Sequence, residues 1–238
     1  MPEMADEITL DQMDWITFDC YGTLVDWEGA FGSLCYSIAL RNTPDPPAGP
    51  QLRERWEAIQ YEIIQGPYQD YKRILSESIR AWCLEMGYKW QDSFGPAMTT
   101  AMRSIQAFHD TKPALERARA AGLNLAIISN TDRDIITHSI KQIGLPFDKV
   151  IVAQDIGAYK PSPKVFEYAI AEIGADPSRM LHTAFGFKYD IGPAQEFGMK
   201  TAWVNRNAEK LPDNRVQPDF IWPDLWGLAT FAGKPYDV

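Results

Sequence analysis

The sequence predicts an α/β protein built on a parallel sheet, with a helical lobe inserted after the first strand. Three observations carry this expectation. A short apolar run, Trp15–Phe18, reads as a buried strand that ends at a carboxylate, Asp19, before a sharp turn at Gly22. From about Leu123 onward, strand-like and helix-like patterns alternate, which implies a parallel sheet with helices on both faces. Between Asp26 and about Ser104 that alternation stops and the pattern is mostly helical.

Taken in order, Trp15–Phe18 places Asp19 at the carboxyl end of a strand, the edge where open α/β sheets carry their chemistry. A Pro-rich loop (Pro44, Pro46, Pro47, Pro50) precedes helical runs over Leu52–Ile64, Tyr71–Met86 and Ala97–Phe108, punctuated by Pro67 and Gly87. Leu123–Ile128 is a buried strand closing at Ser129-Asn130. Asp132–Ile143 is a helix stopped by Gly144 and Pro146. Val150–Val152 is a short strand, and Pro163–Ile173 has helical spacing at Val165, Phe166, Ala169, Ile170 and Ile173 before Gly174. Met180–Ala184 and Thr201–Val204 are strands joined by a helix ending near Gly198. Arg206–Pro218 reads as a polar linker, and Pro223–Phe231 as a short closing helix. The whole is a Rossmann-like core.

The 238 residues, 45% of them hydrophobic, suffice for one core or for a core domain with a smaller insertion. A net charge of −9 argues against nucleic acid and anionic membranes as partners. No apolar run reaches membrane-spanning length, and the acidic N-terminus shows no secretory signal. Cys20, Cys35 and Cys83 are odd in number and widely spaced, which suits a reducing cytoplasm. His109, His138 and His182 lack zinc-ligand spacing. A soluble cytoplasmic enzyme is expected. Cys20 reads as a packing residue, His182 as a hydrogen-bonded core residue, and the lobe's aromatics (Trp56, Tyr61, Tyr68, Tyr71, Trp82) as its core. The lobe's charges read as a solvated helix face.

A strand-tip carboxylate can act as a nucleophile and form an ester that divides one hard hydrolysis into two easier steps. The stretch Phe18-Asp19-Cys20-Tyr21-Gly22-Thr23 resembles the first motif of the haloacid dehalogenase superfamily, F-D-x-x-G-T. Three further motifs follow in the family's order. Ser129-Asn130 resembles the second, whose neutral donors bind the substrate's anionic group. Lys160, in Ala158-Tyr-Lys-Pro161, matches the third and implies an ammonium that holds Asp19. Asp190, in Lys188-Tyr-Asp-Ile191, matches the closing carboxylate of the fourth, which orients the nucleophile or the attacking water. The resemblance implies a core over 1–25 and 107–238 and a helical cap over 26–106. It makes Asp19, Thr23, Lys160 and Asp190 the catalytic set.

The departures select a branch. Phosphatases of the family carry a second Asp two places after the nucleophile, where this chain has Tyr21. Magnesium-dependent members carry an Asp five places before the closing carboxylate, where this chain has Phe185. Both departures speak against phosphoryl transfer, so no metal and no cofactor are expected. What remains resembles the 2-haloacid dehalogenases, which displace halide from an sp³ carbon next to a carboxylate and carry Asp-x-Tyr-Gly-Thr. In them a cap arginine assists the departing halide. Arg55 is the best positional match, with Arg53 close behind. Tyr21, Ser129, Asn130, Arg55, Phe185 and Phe187 are the expected substrate-binding residues. Phe185 and Phe187 replace small polar groups of the dehalogenases. They either enlarge an apolar wall, or pack away from the site, or face a cationic leaving group, as in ring opening of a strained cyclic amino acid such as azetidine-2-carboxylate. The rival readings are a phosphatase and a catalytically silent binder of a small acid or a protein. The expected partners are a small carboxylate substrate and water, with a homodimer left open.

Overall fold

The computed structural model describes residues 8–212 and 216–233. Strand β1 (Trp15–Phe18) lies inside a parallel sheet with β2 (Asn124–Ser129), β3 (Lys149–Val152), β4 (Met180–Ala184), β5 (Lys200–Val204) and β6 (Phe220–Trp222), in the order β3-β2-β1-β4-β5-β6. Phe18 pairs with Ile127 of β2 on one side and with Thr183 of β4 on the other. The strand order reverses between β1 and β4, and in such sheets the crevice at the carboxyl ends beside the reversal is the binding site. The tips of β1, β2 and β4 converge there.

Along β2 the side chains divide by a period of two. Leu125 and Ile127 enter one core, and Ala126 and Ile128 enter the other. A strand buried on both faces must be apolar almost throughout, and the run Leu125–Ile128 is. The helices are α1 (Trp27–Leu40), α2 (Gly49–Ile64), α3 (Tyr71–Glu85), α4 (Phe94–Ser104), α5 (Thr111–Ala120), α6 (Arg133–Ile143), α7 (Ala153–Ile156), α8 (Pro163–Ile173), α9 (Gly192–Glu196) and α10 (Trp226–Phe231). Helices α5, α6 and α10 pack on the first face of the sheet, α8 and α9 on the second.

Helices α1 to α4 follow β1 as a block. The two chain segments that connect the block to the sheet are bonded to each other: Asp26 N–H donates to Gln106 O (3.0 Å) and Phe108 N–H to Leu24 O (3.1 Å). We propose residues 26–106 as the cap. Inside it Phe31 stacks on Trp56 at 4.7 Å, and the Trp56 indole donates to Ser78 Oγ. The free backbone donors at the start of α3 are met from the core: Asp132 accepts from Tyr71 N (2.8 Å) and Lys72 N (3.0 Å).

The expected strands and the helices over 132–143 and 163–173 appear within a residue or two. Helices α1 and α5 and the short edge strand β6 were not anticipated. Gly29, Gly32, Ser33 and Ser37 dilute the helical pattern of α1, which is held instead by an Asp26 cap on Gly29 N and by Phe31 packing on Trp56. Helix α4 runs 94–104 rather than 97–108, because 105–108 are extended to form the return crossing. The expected linker 206–218 includes 213–215, which lie outside the described residues. Among the described residues no helix is long and apolar enough to cross a membrane.

Candidate active site

Asp19 follows β1 directly, and its own backbone N–H still donates to Thr183 O of β4 (3.2 Å). Its carboxylate is fixed at both oxygens. Lys160 Nζ donates to Oδ1 and Thr23 Oγ1 to Oδ2, each at 2.9 Å. Thr23 reaches back because the chain turns at Gly22, whose φ is 91°. A Cβ there would stand 2.8 Å from both the Phe185 ring and the Trp27 indole nitrogen, so only glycine fits. Thr23 Oγ1 also accepts the Phe185 N–H at 2.8 Å, which ties the first motif to the fourth.

Lys160 is 1% exposed, and its three protons are all used: on Asp19 Oδ1, on Asp190 Oδ1 (2.6 Å) and on Ile128 O (2.9 Å). Asp190 sits in a π-helical turn, Phe187–Ile191, a distortion that often marks functional segments. His182 Nε2 donates to Asp190 Oδ1 (2.9 Å), and His182 Nδ1 lies 2.8 Å from Thr17 Oγ1. Thr17 and His182 are register partners on β1 and β4. The expectation for His182 as a hydrogen-bonded core residue holds, but its partner makes it a support of the site. The signal was present as two polar residues inside otherwise apolar strands.

Burial pushes the Asp19 carboxyl up; Lys160 opposes this and the Asp190 charge adds to it. For Asp190, burial is outweighed by Lys160 and the His182 hydrogen bond, which hold it below the usual range. Burial of Lys160 is likewise outweighed by Asp19 and Asp190, which raise its pKa. The two carboxylates are thus pushed apart: Asp190 is held in its anionic form, and Asp19 is the more basic of the two.

The expected substrate-binding residues divide. Tyr21, Asn130 and Phe185 line a cavity of about 100 Å³ over Asp19. The Tyr21 hydroxyl lies 2.9 Å from Ser139 Oγ. The Asn130 amide donates to Lys160 O at 3.0 Å and accepts from Lys160 N at 2.7 Å, so it shapes the loop that delivers Lys160 while keeping one N–H and one lone pair free at the cavity wall. Ser129 is 2% exposed at the tip of β2 and does not line the cavity. Two assignments are corrected. The ring of Phe187 packs edge-on against Trp203 at 5.2 Å, outside the cavity. Arg55 is exposed on the outer side of α2 and is ion-paired with Glu85. Two residues along a helix turn the side chain by roughly 200°, so Arg53 faces inward where Arg55 faces solvent. Arg55→Ala is accordingly expected to leave kcat/KM within about two-fold; a hundred-fold loss would restore Arg55 to the site.

Arg53, Glu57, Gln60 and Ile64 form the inward stripe of α2, and the last three line the cavity. The solvated-face reading of the cap charges fails for Arg53 and Glu57. Tyr71, Tyr189, Trp27 and Met102 complete the opposing wall. Gln60 Nε2 donates to Tyr71 Oη (3.0 Å), which leaves the phenol proton for the cavity. The overlooked signal was polar residues at i, i+4, i+7 on the face of α2 that its apolar residues share.

A magnesium ion does not fit this donor set. Asp19 has both oxygens engaged, by Lys160 and Thr23, and Asp190 has only Oδ2 left. The lining residue Phe185 offers no oxygen, and among the described residues no group of three His, Cys, Asp or Glu side chains could hold an ion.

A family model described as haloacid dehalogenase-like hydrolase matches residues 13–184, and a second, HAD-hydrolase-like, matches 158–228. An (S)-2-haloacid dehalogenase of Pseudomonas putida is 26% identical over 231 residues, covering 93% of this chain and 97% of the relative. The crystal structure of the L-2-haloacid dehalogenase RSc1362 superimposes with a TM-score of 0.83 at 21% identity, over 92% of this chain and 98% of that one. The L-2-haloacid dehalogenase from Xanthobacter autotrophicus with chloropropionic acid covalently bound gives 0.75 at 23% identity, over 92% and 97%.

Proposed function

The chain belongs to the haloacid dehalogenase-like hydrolases, and from that membership we propose that it hydrolyses a carbon–halogen bond next to a carboxylate through an ester on Asp19. The observation that carries this reading is Asp19 itself: a basic, buried carboxylate clamped by Lys160 and Thr23, with a tyrosine where a proton donor for an alkoxide would stand. Halide needs no proton to leave. The named relative from Pseudomonas putida supports halide as the leaving group.

In the first step an Asp19 oxygen attacks the sp³ carbon from the face opposite the halogen. The C–O bond forms as the C–halogen bond breaks, and halide departs with the bonding pair. Holding carboxylate and carbon in line supplies on the order of 7–11 kcal/mol. Lys160 and Thr23 provide that alignment by fixing the carboxylate rotamer. In the second step water attacks Asp19 Cγ and gives one proton to Asp190. As the acyl–oxygen bond breaks, that proton passes on to the departing alkoxide oxygen to give the 2-hydroxy acid, and water's second proton leaves to solvent as the Asp19 carboxylate is restored. Asp190 accepts the water's proton on Oδ2. That oxygen points at Gly186, a cavity-lining residue where a Cβ would stand 2.8 Å away, so glycine keeps the space open.

Ring opening of a cyclic amino acid keeps the same attack with C–N in place of C–halogen. It rested on Phe185 and Phe187 together, and Phe187 has turned away. A panel assay decides between the leaving groups: halide release from 2-chloropropionate, consumption of azetidine-2-carboxylate and phosphate release from a phosphomonoester, each with and without EDTA. Halide release is expected, unchanged by EDTA or added Mg²⁺. A Mg²⁺-restorable loss on chelation, or phosphate release alone, overturns the reading.

A further inference from the structure

The cavity is lined by a carboxylate for which the reaction above has no use, Glu57. Its Oε2 accepts from Arg53 Nη1 at 2.6 Å, but that guanidinium is shared with Glu28 at 2.7 Å and with Glu54 at 3.8 Å, so three carboxylates face one cation. At Glu57, Phe185, Gly186 and Tyr189 the small cavity meets a wider cleft of about 880 Å³. The wall of that cleft carries Glu28, Glu54, Glu62 and Glu209 against Arg53 and Lys188. Lys188 is turned onto the Tyr61 ring, with Nζ 3.1 Å from its centroid. Inside, Lys160 is fully engaged by Asp19 and Asp190. A simple anionic acid would approach against this field, and a group bearing positive charge would be drawn in. The walls beside Glu57 are the rings of Trp27, Tyr71, Phe185 and Tyr189, and aromatic surfaces favour a desolvated ammonium.

We propose that Glu57 is a substrate-specificity residue that holds an ammonium group on the substrate, so that the preferred class is a small zwitterionic acid rather than a simple haloacid. The proposal rests on the reading of the Asp19 cavity as the substrate site and is independent of which group leaves. One oxygen of Glu57 is held by Arg53, and the other is available to the substrate at the point where cavity and cleft join. Burial pushes the Glu57 carboxyl up to about 7, with Arg53 opposing and Glu28, Glu209 and Glu54 adding to the rise. The phenols of Tyr71 and Tyr189 face it as well, and burial raises both.

Calorimetric binding of 4-aminobutanoate and of its uncharged-chain isostere pentanoate tests this on the wild-type chain and on Glu57→Gln. At pH 8 the wild type is expected to bind 4-aminobutanoate at least ten-fold more tightly than pentanoate. The preference should shrink several-fold at pH 6, because Glu57 is protonated below its raised pKa and loses its charge. In Glu57→Gln the preference should vanish at both pH values, with pentanoate binding retained or improved. Equal or tighter pentanoate binding by the wild type, no binding of 4-aminobutanoate, or a preference that survives in Glu57→Gln each overturns the proposal. Should Glu57→Gln fail to fold, the wild-type preference and its pH dependence remain decisive. Halide release from 2-chloropropionate is scored in parallel: its absence alongside an intact ammonium preference sinks the halide chemistry and leaves Glu57's role standing.

Discussion

Replacing Asp19 with asparagine is expected to lower turnover by on the order of 10⁴-fold or more, because the proposed nucleophile itself is removed. The fold should survive. Burial raises the Asp19 pKa, so the native structure disfavours its charged form, and a neutral amide of the same shape relieves that cost. Lys160 keeps Asp190 and Ile128 O as partners. The melting temperature of Asp19→Asn should therefore equal or exceed that of the wild type. A single turnover of the wild type in ¹⁸O-labelled water supplies the sharper check. The first product should carry unlabelled oxygen from Asp19, and the label should appear in the protein. Solvent label in the first product would replace the ester with direct attack by water.

Lys160→Ala should injure both turnover and stability. Read from the sequence, the ammonium only steadies Asp19, and activity should fall far more than stability. Its position changes that expectation. Lys160 is almost fully buried between Asp19 and Asp190, and removing a buried cation leaves two carboxylates uncompensated. Such losses cost about 3–5 kcal/mol. Turnover should fall by roughly ten- to a hundred-fold or more from the charge-assisted bonds alone. The stability deficit has a defined pH dependence. Without the lysine the main opponent of burial is gone at both carboxylates, so their pKa values are expected to rise and protonation to favour the fold. The deficit should shrink as pH falls from 8 to 5 and grow as pH rises. A melting temperature within a degree of the wild type would show that Lys160 is not the central ion of this network.

Much of the core was legible because its signals are local. Trp15–Phe18, Met180–Ala184 and Pro163–Ile173 appear with the expected bounds, since short apolar runs and helical spacing report their own conformation. The carboxylates Asp19 and Asp190 and Lys160 were legible as site candidates for a related reason: each stands at the tip of such a strand or in the loop after one, and the sheet topology carries those tips to one edge. Helix α1 was not legible, because its glycines and serines weaken the local pattern and its stability comes from Trp56, a residue of the next helix. Strand β6 is three residues long, too short for a period to declare itself.

The sequence by itself determined the candidate nucleophile, the order of the site motifs along the chain, the tyrosine at position 21 where phosphatases of the family carry a second Asp, and the apolar substitution at Phe185. Those are statements about which residue stands at which strand tip, and a strand tip has one place in a parallel sheet. Only the tertiary structure decided which cap side chains meet them. A helix rotates by about 100° per residue, so the choice between Arg53 and Arg55, two positions apart, is a choice between inside and outside. The sequence carries no coordinate for that rotation until α2 is packed on α1 and α3. The same packing brought Glu57, Gln60 and Tyr71 over Asp19, turned Phe187 onto Trp203, and gave the Asn130 amide to Lys160's backbone. Each of these joins residues distant in the chain. Local periodicity is silent about such pairs, because their energy arises only when the cap closes over the sheet.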